Sequence, residues 1–341
     1  MKSIVKATTD GIDYGDMVVL YSADKFANEI VLRKGGRFEC HSGIFLHSKI
    51  IETGFGKKVY SESMRESLYV LKPSSTLHTH CLNHRTQILY SPDISMVLLQ
   101  CAMKPGSLVI ESGTGSGSLS TSIAKTVFPT GHLYTFEFNE ERVKAAQKEF
   151  EEMGFDQNIT VTHRDAIEDG FNLDIAGSDG EKTDLEDKAD AVFLDLPSPW
   201  KAIGHAYKVL KHNGRICNFS PCIEQVQKVC LELNDLKFSH IRTFECLGKP
   251  YVSKNKGYEY LDYSENEGEE VKEVPEKPKK RKRDRKAVQK KEDMKNRNKL
   301  LTSEPSFKIK GHTGYLTFAT CNKTLGRVEE IVQKDQKQSD K

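Results

Sequence analysis

This chain has a single tryptophan, no Cys-x-x-Cys pair among its eight cysteines, and a net charge of only +2 over 341 residues. It has no leading apolar segment and no apolar run of ~18 residues, which leaves no candidate for a membrane-spanning helix. The cysteines (40, 81, 101, 217, 222, 230, 246 and 321) are scattered without the spacing of a disulfide scaffold or a zinc ribbon. A soluble, reduced, intracellular protein is the expectation. The near-neutral charge excludes a global basic field for nucleic acid, although charge is unevenly placed along the chain. The length permits a large domain with a smaller companion.

The stretch Glu111-Ser112-Gly113-Thr114-Gly115-Ser116-Gly117-Ser118 organises the rest. An apolar run from Ser107 to Ile110 precedes it and a helical pattern from Ser118 to Phe128 follows, so alternating glycines occupy a strand-to-helix turn. Such a turn brings backbone N–H groups close to a nucleotide-like ligand. The dinucleotide fingerprint wants its third small residue where Ser118 stands. Here the third glycine is Gly117 and an acid, Glu111, leads the loop. The pattern E-x-G-x-G-x-G resembles the first motif of S-adenosylmethionine-dependent methyltransferases.

Before this turn, short β-type runs lie at 17–21, 29–33, 37–40, 43–47, 58–60 and 68–71, which predict a small antiparallel β domain over 1–75. Its basic residues (Arg33, Lys34, Arg37, Lys57, Lys58 and Arg65) read as solvated charge, with phosphate contact the alternative. His78, His80, Cys81 and His84 lack a partner cluster at ligand spacing, so no metal is expected. They fall in a connecting segment, 76–90, read as a linker or substrate-side loop. Ser91 and Pro92 then open a helix with Ile94, Val97, Leu98 and Cys101 on one face.

Over 91–251 strands and helices alternate at the rhythm of a parallel, doubly wound sheet. Strands are predicted at 133–138, 159–163, 191–194, 215–219 and 238–246. Asn139 caps a helix with an apolar face of Val143, Ala146, Phe150 and Met153, ended by Gly154. Another helix spans Trp200 to Leu210. A third, opened by Pro221, presents Ile223, Val226, Cys230 and Leu233. Residues 172–189 form a solvated loop, and 252–309 a charged, mostly disordered insertion. The insertion holds the basic run 279–286, which reads as a nuclear localisation signal, an RNA-binding arm or a solvated linker. A final strand of the same sheet lies within 310–322, and 323–341 is a polar tail.

Four acids, Glu111, Glu137, Asp165 and Asp195, close successive predicted strands. In an open α/β sheet those strand ends converge on one crevice, so the carboxyl groups are expected to line one pocket. Glu137, about twenty residues beyond the glycines, is placed for ribose hydroxyls. Asp165 suits the amine of a cofactor adenine, and Arg142 braces that side. Asp195 begins Asp-Leu-Pro-Ser-Pro-Trp200, where the acid offers an acceptor to a target nucleobase. Trp200 offers either a stacking face or a helix-packing side chain.

The motifs Thr86-Gln-Ile-Leu-Tyr90, Glu111 to Ser118, Ala191 to Trp200, Phe219 to Val226 and Gly311 to Phe318 together resemble the catalytic-subunit family of eukaryotic tRNA (adenine-N1)-methyltransferases, which modify adenosine 58 in the T-loop. The resemblance implies a Rossmann-like class I methyltransferase sheet after a small β domain, S-adenosyl-L-methionine as cofactor and tRNA as substrate. It also implies nuclear location and a related non-catalytic subunit in a two-plus-two heterotetramer. Carried over, Gln87, residues 111–118, Glu137, Arg142, Arg164, Asp165 and Asp195 would hold the cofactor. Tyr90, Pro197 and Trp200 would stand on the substrate side, with Asp195 catalytic. The alternative is a non-catalytic RNA-binding or assembly subunit on the same fold. An NAD oxidoreductase and an aminopropyltransferase are further readings of the turn.

Overall fold

A computed structural model describes residues 11–22, 26–82, 86–171, 185–248, 251–258, 298–305 and 314–323. The chain divides into two compact units, Met1–Leu247 with Gly311–Lys341, and Gly248–Lys310.

The first unit begins with strands β1 (Met17–Ser22), β2 (Phe26–Val31), β3 (Arg37–Cys40) and β4 (Gly43–Leu46), helix α1 (His47–Thr53), and strands β5 (Lys58–Tyr60) and β6 (Ser67–Leu71). The first two and last two strands make an antiparallel sheet in the order β2-β1-β6-β5, while β3 and β4 form a hairpin. Val18, Leu20, Phe45, Ile50, Leu68 and Val70 close a small core there. Met17 instead joins the main core, and this region belongs to the same compact unit as the sheet that follows rather than forming a separate body.

The connecting segment is not the expected loop. Ser75–Cys81 forms helix α2, whose cap residue Ser74 accepts a hydrogen bond from the N–H of Leu77 at 3.2 Å. His78 turns inward and its Nδ1 lies 2.6 Å from Glu29 Oε2 on β2. The side chain of Thr79 shares a hydrogen bond with the Ser118 hydroxyl at 2.9 Å. Three of the candidate metal ligands, His78, His80 and Cys81, are thus on one short helix, the first of them buried and hydrogen-bonded to Glu29; His84 lies outside the described residues. No group able to hold a metal ion is found among the described residues.

The main sheet is laid down by β7 (Leu108–Ser112), β8 (His132–Glu137), β9 (Ile159–His163), β10 (Ala189–Leu194), β11 (Leu210–Ser220), β12 (Ser239–Glu245) and a last strand, Tyr315–Thr320. Helices α3 (Ser91–Gln100), α4 (Ser118–Val127), α5 (Glu140–Met153), α6 (Ile203–Val209) and α7 (Ile223–Asp235) cover it. Asn139 caps α5 by accepting from the N–H of Arg142 at 3.0 Å, Gly154 ends it in the left-handed region, and its buried face is the one the sequence predicts. On α7 the buried residues are Val226, Val229 and Leu233, while Ile223 is exposed and Cys230 half-buried, so the predicted face is corrected by one position. Trp200 begins no α-helix: residues Pro199–Ala202 form a 3-10 turn ahead of α6.

The second unit contributes strands β13 (Tyr251–Tyr258) and β14 (Asn298–Pro305), paired antiparallel. The two ends of the insertion therefore meet as a ladder, where the sequence suggested disorder; the basic run 279–286 lies outside the described residues, as does most of 172–189. The last strand of the first unit, Tyr315–Thr320, is β15. It inserts antiparallel between β11 and β12, giving the order β12-β15-β11-β10-β7-β8-β9 with the remaining neighbours parallel. The strand order reverses between β7 and β10, which is where an open α/β sheet makes its crevice. No helix of the described residues is long and apolar enough to cross a membrane.

Candidate active site

The glycine turn sits at this reversal, and contacts within the protein explain two of its glycines. Gly113 has φ +96°, and a Cβ there would lie 2.3 Å from the backbone oxygen of Asp195. The turn after β10 crosses directly over the turn after β7, and only a bare peptide leaves room. At Gly115, φ +55°, a Cβ would meet Thr86 Oγ1 at 2.8 Å. The hydroxyls between the glycines point inward: Thr114 bonds Thr135 at 2.6 Å, Ser116 accepts from the Thr86 N–H at 3.3 Å, and Ser118 donates to the Leu89 carbonyl at 3.0 Å. These bonds fix the loop before any ligand arrives, which is the kind of preorganisation a tight site needs.

Neighbouring registers align the acids. Glu111 pairs with Phe193 and Thr135, Ser112 with Leu194 and Phe136, and Glu137 with His163. Glu137 is buried, its Oε2 accepting from the Gly115 N–H at 3.0 Å and its Oε1 from the Asn139 N–H at 3.1 Å. Arg142 Nη2 stands 3.1 Å from the same Oε1. Oε1 is thus filled by two donors, while Oε2 keeps a second lone pair for a ligand hydroxyl. Asp165 uses Oδ1 to accept from the Ile167 N–H at 2.9 Å, so it caps its own turn as well as lining the cleft. The N–H of Asp195 donates to the Ser112 carbonyl at 2.9 Å.

Glu111 is almost wholly buried, its Oε2 accepting from the Ser120 hydroxyl at 2.6 Å. Burial raises its pKa to about 7, with the charges of Asp195 and Glu137 adding and the hydroxyls of Ser120 and Thr135 opposing. Burial, then the charge of Glu137, raises Asp195 to about 6. An acid whose folded value is raised binds more protons folded than unfolded, so its contribution to stability falls as pH climbs from the ordinary value to the raised one. For Glu111 that window runs from 4.5 to about 7. Glu111→Gln removes the titration, so in the ligand-free protein the variant should gain on the wild type in melting temperature as pH rises through this window. A difference that stays constant with pH would contradict the raised value.

Together these residues line a cleft of about 610 Å³. It is lined by Gln87, the 111–116 loop, Ser118, Glu137, Arg142, Arg164, Asp165, Asp195 and Pro197. Gly117 is the backbone cap of α4 and does not line the cleft. Two residues expected on the substrate side lie outside the cleft lining. Tyr90 is the cap residue of α3 and lies outside the cleft lining, with its ring 6.2 Å from that of His80. Trp200 is half-buried against the core between the sheet and α6, also outside the lining, with the ammonium of Lys228 4.5 Å from its ring centre. The structure adds Phe138, 70 % exposed at the cleft, together with Ile167 and Gln225. An aromatic directly after the strand-end acid Glu137 was a readable signal for the first; Gln225 stood in the Phe219 to Val226 motif without an assigned role, and Ile167 carried no signal.

Two almost fully buried carboxyl groups and two half-buried ones outnumber the arginines of the cleft, Arg142 and Arg164, and fit a ligand that carries positive charge and hydroxyls. The turn and its acids fit the zwitterionic, ribose-bearing S-adenosylmethionine. The sheet order, the glycine turn and this ring of acids define a class I S-adenosylmethionine-dependent methyltransferase. An S-adenosylmethionine-dependent O-methyltransferase from Thermotoga maritima superposes with a TM-score of 0.67 at 27 % identity, over 92 % of this chain and 95 % of that one. TrmI, the tRNA (m1A58) methyltransferase of Aquifex aeolicus, shares the fold with a TM-score of 0.61 at 20 % identity, over 91 % and 98 %.

The family described as tRNA methyltransferase complex GCD14 subunit matches residues 66–321, and the chain belongs to it. It is 44 % identical, over 90 % of its length and 96 % of the relative's, to the tRNA (adenine(58)-N(1))-methyltransferase catalytic subunit of Dictyostelium discoideum. The catalytic subunit of Candida albicans is 36 % identical over the same shares.

Proposed function

We propose that this chain is the catalytic subunit of a tRNA (adenine-58-N1)-methyltransferase, moving a methyl group from S-adenosylmethionine to N1 of adenosine 58 in the T-loop. Family membership supports the reaction. The observation that carries the assignment of roles is the placement of Asp195 in the cleft, on a turn that crosses the first glycine of the motif.

S-adenosylmethionine supplies an electrophilic methyl group. In this reading Glu137, held by the Gly115 and Asn139 N–H groups and by Arg142, receives the ribose hydroxyls. Asp165 receives the adenine amine, and Glu111, accepting from the Ser120 hydroxyl, ties the loop to the start of α4. The remaining residues carried over by resemblance, Gln87, Arg164 and Pro197, stand around the same opening. The N1 lone pair of adenine is free near neutral pH, so no base is needed before attack. Positive charge then grows on the ring, and the Asp195 carboxylate, accepting from the exocyclic N6–H, stabilises it more in the transition state than in the ground state.

The finer parts of the reading are a related non-catalytic subunit, a two-plus-two assembly and nuclear location. The word "subunit" in the relatives' names supports a partner. The basic run 279–286 supports nuclear import, and the near-neutral overall charge supports a need for a partner's basic surface on tRNA. The test is mass spectrometry of nucleosides from unmodified tRNA incubated with the chain, with and without a co-expressed partner. One methyl group on adenosine 58 is expected. Methylation at another atom or position would overturn the reading.

A further inference from the structure

Helix α7 lies beside the Asp195 turn and reaches it at two points. Gln225 Nε2 donates to the Pro197 carbonyl at 3.1 Å. Three residues on, Lys228 sets its ammonium over the Trp200 ring at 4.5 Å. Residues three apart share a helix face, so one face of α7 holds both ends of the stretch from Pro197 to Trp200. The other side of the turn is fixed by the Asp195 N–H on Ser112 and by the space at Gly113. Between these anchors the chain that carries the Asp195 carboxyl has little freedom.

Gln225 also lines the cleft, and its Oε1 is buried with no hydrogen-bond partner. A buried amide oxygen without a donor lowers stability. Pro197 is exposed, so water can serve its carbonyl, and an unbranched apolar side chain at 225 would fill the space without the unpaired oxygen. Stability alone therefore disfavours an amide here, which is the pattern expected where a site is held in place at some cost to the fold.

We infer that Gln225 is a positioning residue for methyl transfer, holding the Asp195 turn from α7 through the Pro197 carbonyl. The inference rests on the assignment of Asp195 to the reaction. Its test compares Gln225→Met and Gln225→Lys with wild type in the full chain, co-expressed with its partner. Met removes the donor; Lys restores one within reach of the same carbonyl.

The Met variant should lose about tenfold in kcat with KM for S-adenosylmethionine within about twofold. Its melting temperature without cofactor should equal or exceed that of the wild type. The Lys variant should recover most of the rate. A Met variant with wild-type kcat, a fall in melting temperature that tracks the loss of rate, or a Lys variant as slow as Met would each overturn the inference. Failure of the Asp195 assignment shows separately, as an Asp195→Ala enzyme with undiminished single-turnover rate.

Discussion

Asp195→Ala should lower the single-turnover rate of methyl transfer by roughly a hundred- to a thousandfold, the usual cost of removing one preorganised electrostatic partner of the transition state. Affinity for tRNA should stay close to wild type, because phosphate contacts elsewhere dominate that binding. Asp195→Asn keeps an acceptor for the N6–H but not the charge, so it should fall between the two. The pH profile supplies a second readout. The carboxyl titrates at about 6 in the ligand-free protein. Only its ionised form stabilises positive charge on the base, so the wild-type kcat/KM should fall as pH drops through that value, and the Asn variant should lack this limb. A wild-type rate in Asp195→Ala would remove the proposed role outright. Loss of tRNA binding in step with rate would move Asp195 from transfer to recognition.

Much of this site was legible because its parts are local. A strand, a glycine turn and a helix are each set by short-range pattern, and an acid at the end of a parallel strand is carried to the crevice by topology. Thus Glu111, Glu137, Asp165 and Asp195 are placed in one cleft by strand order and spacing alone. Asn139 and Gly154 bounded α5 correctly because capping needs only the residue and its next turn.

What stayed hidden depends on contacts far along the chain. Trp200 could stack on a base or pack inside, and its half-buried place against the core, with Lys228 over its ring, depends on residues of later helices. On α7 both Val229 and Cys230 extend a helical spacing from Val226, and only the docked sheet decides that Val229 is buried. Helix α2 is short, rich in histidine and threonine, and held by Glu29 and Ser118 from two other elements, so its sequence alone reads as a loop. Likewise the sequence explained the glycines by an approaching ligand, whereas the closest atoms at Gly113 and Gly115 belong to Asp195 and Thr86.

That last distinction leads to the variant with the widest consequences, Gly113→Ala. A new Cβ would stand 2.3 Å from the Asp195 carbonyl oxygen and 3.2 Å from its carbonyl carbon. Both are backbone atoms, so no side-chain rotation relieves the clash, and φ +96° is itself unfavourable for alanine. Either the Asp195 turn or the Gly113 turn must move. Moving the first strains the hydrogen bond from Asp195 to Ser112; moving the second strains the one from the Gly113 N–H to the Phe136 carbonyl. Overpacking and backbone strain together should cost about 2–5 kcal/mol. S-adenosylmethionine affinity and transfer should be lost together, because one turn holds the loop and the other the Asp195 carboxyl. Gly204→Ala is the matched control: its Cβ meets nothing within 4 Å on α6, so it should be neutral or slightly stabilising and retain full activity. Calorimetric titration with S-adenosylmethionine and thermal melts on both variants decide the matter. If Gly113→Ala bound cofactor as tightly as Gly204→Ala, the two turns would not be locked together, and the close crossing that joins the cofactor loop to Asp195 could not be what orders the site.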